Sequence, residues 1–277
     1  MTMHSNLGRS ALRVATFTLA GVLPLMAQAQ SASDDWKFGA TIYGWFPSIG
    51  GTTSFPPPSN GGPSIDVSTK QVIDALKFTF MGTLEARKGQ WGAWTDLVYA
   101  DFGATKSGSR DFSIGHAGVP VGVDANLNLD VKTWIWTVAG TYNLATTPEY
   151  TTDLVAGARL LDMEQTLGWQ FNGDLSGTPI LDRAGSTTIS LNRWDGIVGV
   201  KGRANLGAER KWFVPYYADV GTGQTKLTWQ AVTGLGYQFD WGALALTYRY
   251  LDYQMKSGSK VESLTLSGVA LSASFTF

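Results

Sequence analysis

The chain contains no cysteine, which excludes disulfide staples, thiolate catalysis and cysteine-bound zinc. Charge is also sparse. Charged residues make up 16% of the sequence, below the roughly 25% usual for soluble domains. The formal charge of -1 carries no basic excess, which argues against nucleic acid as a partner. Histidine is reduced to His4 and His116, so the usual general base has little to draw on. No apolar run reaches the about 20 residues that a membrane-spanning helix needs, and no helical period of useful length appears beyond the first 30 residues.

What is present points elsewhere. Glycine is abundant at 33 and tryptophan high at 11, with a mean hydropathy near zero, -0.03. The first residues, "MTMHSNLGRSALR", carry Arg9 and Arg13 and no acid; "VATFTLAGVLPLMA" and then "AQA" at 27–29 follow. A charged start, a short apolar middle and a small-x-small site are the layout of a secretory signal. Residues 1–29 are therefore expected to be a signal peptide cleaved after Ala29, leaving 30–277 as a single domain. Removal of two arginines and no acid takes the formal charge from -1 to -3.

Alternation with a period of two recurs along the rest of the chain, and that period is the strand signature. Ten segments show it: 36–46, 76–88, 91–105, 126–144, 150–165, 190–204, 212–220, 225–239, 242–255 and 261–277. Short turns such as "GQ" and "DW" alternate with long connections, and the long ones gather mostly at one end of the array. Short turns on one side and long loops on the other characterise a membrane β-barrel. The expected fold is thus all-β, a closed antiparallel transmembrane barrel of about 10 strands, with eight or twelve as the fallback. In "GALALTYRYLDYQ", Leu244, Leu246, Tyr248 and Tyr250 share one face. Aromatics end the apolar stripes, as with Trp91 and Tyr99 or Trp134 and Tyr142, which is what a lipid–water boundary selects. Lipid forbids an unpaired sheet edge. The last strand, with Phe277, Phe275, Leu271 and Val269 on one side, is therefore expected to pair with the first.

"WDGIVGVKGRANLG", followed by "YADVG", "LTWQAVTGLGYQF" and "LALTYRYLDYQ", resembles a broad group of Gram-negative outer-membrane β-barrel proteins. "LKFTFMGTLEARKGQWGAWTDLVYADFG" is similar to the second hairpin of the same group, and the likeness covers most of 36–277. It implies the bacterial outer membrane as compartment, with membrane lipid and lipopolysaccharide as surroundings. The alternation ending at Phe277 resembles the signal read by the barrel assembly machinery. The resemblance implies no activity and no cofactor, and oligomeric state stays open.

Face assignment places Glu85, Arg87, Asp96, Asp153, Arg159, Asp195, Lys201, Arg203, Asp219 and Arg249 in the lumen. Five acids against five bases can pair, and buried ions persist only when paired. The expectation is a charge-paired, narrow interior, structural or weakly passing small polar solutes along Arg87, Arg159, Arg203 and Arg249. An alternative is a surface-binding barrel acting through loops at 47–75, 106–126 and 171–187. A third is a lipid-modifying enzyme using His116, but Asp111, Ser113 and His116 share one loop and lack the rigid support a triad requires. No catalytic or metal-binding set is assigned. "GTGQTK" at 221–226 lacks the spacing of a phosphate loop. "FPPPSNGGP" at 55–63 reads as a stiff external loop. "STKQVIDAL" at 68–76 predicts the one short helix, capping or plugging the barrel mouth with Val72, Ile73 and Leu76 toward the wall.

Overall fold

The computed structural model describes residues 35–53, 64–108, 113–114, 117–118, 123–175, 178–259 and 261–277. The expected signal peptide, its cleavage site, His116 and the proline run at 55–63 lie outside them. Alternating sequence produces strands throughout. They are β1 (Lys37–Thr53), the short β2 (Ser64–Val67), β3 (Leu76–Lys88) and β4 (Trp91–Gly108). Next come the two-residue pair β5 (Ser113–Ile114) and β6 (Ala117–Gly118), then β7 (Val123–Thr146), β8 (Tyr150–Leu175) and β9 (Thr178–Leu206). The last four are β10 (Trp212–Gly223), β11 (Leu227–Gln238), β12 (Ala243–Gln254) and β13 (Val261–Thr276).

Ten of these strands form the wall, each antiparallel to its neighbours, in the order β1-β3-β4-β7-β8-β9-β10-β11-β12-β13. The ring closes where β13 pairs β1, from Gly39 opposite Thr276 up to Thr53 opposite Val261. Backbone bonds between Phe38 and Phe277, 3.1 and 2.8 Å, finish the seam. The last strand thus has a structural duty to its final residue, as the apolar alternation predicts.

The strands alternate between two surroundings. Outward positions such as Ile42, Leu84, Val198, Leu246 and Leu271 are exposed, whereas Asp96, Thr137, Arg159 and Arg249 between them are buried. Exposed leucine and buried arginine reverse the soluble pattern. Aromatic contacts gather at two heights. One group holds Trp91–Tyr142 and the run Trp212–Tyr237–Phe239–Trp241–Phe275. The other holds Phe78–Tyr99–Trp134 and Trp229–Tyr250. Along one strand the two groups stand about eight residues apart, a rise of roughly 26 Å. Tilted by about 40°, that spans about 20 Å, near the ~25 Å apolar band of a membrane barrel. Outward residues between the two groups are apolar, small or hydroxyl-bearing, and the first outward carboxylates, Asp101, Asp162 and Asp252, stand opposite Phe78, Trp134 and Trp229 of the upper group.

Two features differ from the sequence expectation. Parts of the expected loops are strand: residues 47–53 belong to β1, and 171–175 and 178–187 continue the β8–β9 ladder. Polar, threonine-rich sequence still pairs there because backbone bonds alone extend a hairpin. At 26 and 29 residues, β8 and β9 are more than twice as long as the 9–11 residues a crossing needs. The helix is present as α1 (Thr69–Ala75), with Ser68 as N-cap in a reciprocal capping box with Gln71. Two orphan amides are satisfied in that way. Val72 is buried, but Ile73 is about half exposed. The "GTGQTK" stretch is a tight turn: the Gln224 amide bonds the Trp194 carbonyl at 2.9 Å, and Lys226 bonds Gln254 at 2.9 Å.

Candidate functional site: the lumen

Each lumen charge lies on an inward position of its strand, and pairing then depends on which strands face one another. At the end carrying the short turns, Arg87 on β3 reaches Asp153 on β8 and also Glu85 at 3.1 Å. Glu85 in turn accepts from Lys201 on β9 at 2.5 Å. Asn143 donates to Asp153 at 2.7 Å, and the Lys201 ammonium sits 5.4 Å from the Trp94 ring centre. Arg203 stands apart from the ion pairs. It bonds the side chains of Asn205 at 2.9 Å and Gln238 at 3.1 Å, and stacks 4.1 Å over Phe213. The Phe213 ring occupies the space where a β-carbon on Gly236 would lie, 2.3 Å from it, so glycine is what lets the ring lie flat against β11. Glu85, Arg87, Asp153, Lys201, Arg203 and Phe213 border a vestibule of about 440 Å³.

At mid-height the lumen is filled. Arg249 on β12 crosses to Asp96 on β4 at 2.8 Å, and both side chains are about 5% exposed. Its other donors meet Gln230 at 2.8 and 3.1 Å and the Tyr43 hydroxyl at 2.8 Å. Tyr43 donates to Asp96 at 2.6 Å, and the guanidinium lies 4.7 Å from the Trp45 ring. Beside it, Arg159 on β8 grips Asp219 on β10 through two parallel bonds, both side chains 0% exposed. Thr137 accepts from the Arg159 Nε at 3.2 Å. Paired, hydrogen-bonded charges of this kind can persist out of water, where lone ones cannot. Among the described residues Asp195 pairs with no base. It accepts the Thr225 amide and hydroxyl, both at 2.8 Å, and so anchors the β10–β11 turn.

Above this layer the lumen changes character. Trp45, Met81, Val98, Ile135, Leu161, Leu251 and Leu264 pack as one buried cluster. Sequence reasoning weighed the charges and passed over these residues, although each sits at lumen parity on its strand. The same count by twos that located Arg159 and Arg249 also turns Leu161 and Leu251 inward. The neutral partners Tyr43, Gln230, Thr137 and Thr225 were missed as well, since nothing local distinguishes them from other inward polar residues.

An antiparallel ten-stranded sheet, closed on itself and apolar on its outer band, defines a transmembrane β-barrel. No family model matches the chain, and no curated protein matches it. Solved structures do. The outer membrane protease OmpT from Escherichia coli is similar at 11% identity and TM-score 0.45, over 90% of this chain and 99% of that one. The translocator domain of the autotransporter NalP from Neisseria meningitidis is similar at 15% identity and TM-score 0.41, over 90% of each. Ail, the attachment invasion locus protein of Yersinia pestis, is similar at 11% identity and TM-score 0.32, over 88% and 99%. At these scores none of them bears on activity or substrate, and the barrel rests on its own closed ladder.

Proposed function

We propose that the chain is an integral barrel of the bacterial outer membrane whose lumen is closed at mid-height to ions and polar solutes. The observation that carries this is the Arg159–Asp219 pair, completely shielded from solvent, lying beside the nearly as deeply buried Arg249–Asp96 pair. A conducting path would have to hydrate or separate one of them. Membrane lipid and lipopolysaccharide would meet the uncharged outer band. The barrel assembly machinery would read the outward stripe Val269, Leu271, Phe275 and Phe277. Planar-bilayer recording of refolded protein, shown folded by heat-modifiable gel mobility, is expected to be silent. Reproducible conductance steps that change with Arg249→Ala or Arg159→Ala would overturn the closed lumen.

A weakly selective passage is the second reading. It is favoured by the vestibule, where Arg87, Glu85 and Lys201 keep 16–27% of their side-chain surface exposed and could accept small polar solutes from one side. Osmotic swelling of vesicles in small sugars or amino acids tests it, with swelling expected only if the mid-height layer opens.

A further inference from the structure

We propose that the upper lumen is a binding chamber for a single hydrocarbon chain, entered sideways from the bilayer through a break between β1 and β3. The proposal rests on the closed mid-height layer, which supplies the chamber's floor. The cavity holds about 590 Å³ and is walled largely by apolar side chains from seven strands and α1, among them Trp45, Met81, Val98, Ile135, Val72 and Leu264. Its volume falls within the ~300–1,000 Å³ of small-molecule sites, and is roughly four times the ~150 Å³ void that holds benzene. Trp45 borders the chamber, while Arg249, stacked on the same ring, borders the vestibule. One stacked pair therefore separates apolar from charged space. The mostly apolar lining suits the methylene chain of a fatty acid or lipid tail, whose transfer out of water is favourable by about 0.8 kcal/mol per buried CH₂.

The side entrance follows from the ladder. β1 pairs β3 only over 37–42, opposite 82–87, and pairs β2 only over 49–52. Over 43–48 that edge of β1 has no strand partner among the described residues. Within the gap the Trp45 amide donates to the Met81 sulfur at 3.2 Å instead of to a carbonyl. Such an acceptor is weak, and a thioether side chain swings aside easily. Phe46, on the lipid-facing side of β1 and 43% exposed, also lines the chamber. The cavity thus reaches the outer face of the wall there. α1 flanks the gap, contributing Val72 and the half-exposed Ile73.

The test uses refolded protein in phosphatidylcholine vesicles with 11-(dansylamino)undecanoic acid as probe. Saturable enhancement of its emission is expected. Binding should weaken at least tenfold in Ala100→Trp and in Val72→Trp, which fill the chamber from the wall and from α1. It should not change in Leu97→Trp on the lipid face. Val72 lies outside the barrel ladder, so that variant keeps the test alive if Ala100→Trp fails to fold by gel mobility. Non-saturable partitioning, equal in the wild type and both folded variants, overturns the chamber. Displacement by laurate at fixed vesicle lipid assigns a free acid, whereas loss of signal as vesicle lipid rises assigns a membrane lipid tail. Displacement by neither overturns the ligand class. Ile73→Cys would be the chain's sole cysteine, and its modification with a bulky polar maleimide should slow uptake from the bilayer severalfold with affinity unchanged. An unchanged rate overturns the lateral route. Conductance of the same preparation separates the readings: steps with saturable binding overturn only the closed floor, and silence without binding overturns only the chamber.

Discussion

Asp219→Ala leaves the Arg159 guanidinium in a place where water does not reach. In the native lumen that guanidinium holds Asp219 through two parallel bonds, one of 3.0 Å, and both side chains are 0% exposed. After the substitution Asp195, opposite Arg159 on β9, stays engaged by the Thr225 amide and hydroxyl, and the guanidinium's remaining hydrogen-bond partners are neutral hydroxyls, Thr137 at 3.2 Å and Thr228 at 3.5 Å. They can accept hydrogen bonds but cannot balance the charge. Breaking a buried pair from one side costs about 3–5 kcal/mol, a drop of roughly two to four orders of magnitude in the folding constant. Urea titration of the folded fraction in vesicles, read by gel mobility and tryptophan emission, measures it as a shift in midpoint at constant slope. The double variant Arg159→Met/Asp219→Leu removes both charges and should recover most of that loss, since apolar replacement of a whole buried pair is often neutral or stabilising. A cost below about 1 kcal/mol for Asp219→Ala, the range of exposed pairs, would mean that water reaches Arg159. The argument for a closed lumen would then fail.

Other positions probe the remaining parts of the barrel. Leu246→Arg, at an outward position 56% exposed within the apolar band, should cost about 2–4 kcal/mol in vesicles; an effect near zero would place that face outside the hydrocarbon. Gly236→Val drives a side chain into the Phe213 ring at 2.3–2.8 Å and unseats Arg203 from it, with about 1–3 kcal/mol expected from overpacking in the same titration. Glu85→Gln touches a carboxylate that keeps 27% of its surface in contact with solvent, and screening should hold its cost below about 1 kcal/mol. A loss as large as that at Asp219 would show that the vestibule is dry. Phe277→Ala leaves the backbone bonds to Phe38 in place, so in vitro stability should move by no more than ~0.5 kcal/mol. Assembly in cells should fall several-fold, and parallel losses in both assays would refute a separate assembly signal.

Much of this molecule is legible in one dimension because a strand's side chains alternate with a fixed period of two. Counting by twos turns Leu244, Leu246 and Tyr248 outward and Arg249 inward without any coordinates, and the same count assigns Asp96, Arg159 and Asp219 to the lumen. The aromatic ends of the stripes mark the band, and the requirement that lipid leave no open edge joins 261–277 to 36–46. Which charges meet is a different matter. Asp96 and Arg249 lie on β4 and β12, separated by five strands one way round the wall and by three the other, and Arg159 reaches past β9 to Asp219. Those pairings depend on the relative stagger of strands that are not neighbours in the chain, which closure alone sets. For the same reason Asp195 serves a turn and Arg203 stacks on Phe213 rather than joining an ion pair. The apolar upper chamber and its opening arise from how far β3 accompanies β1. That length is decided where α1 ends, at Ala75, and where Met81 replaces a backbone carbonyl. Alternation determines the face of every residue; only the closed three-dimensional ring decides what each inward residue faces.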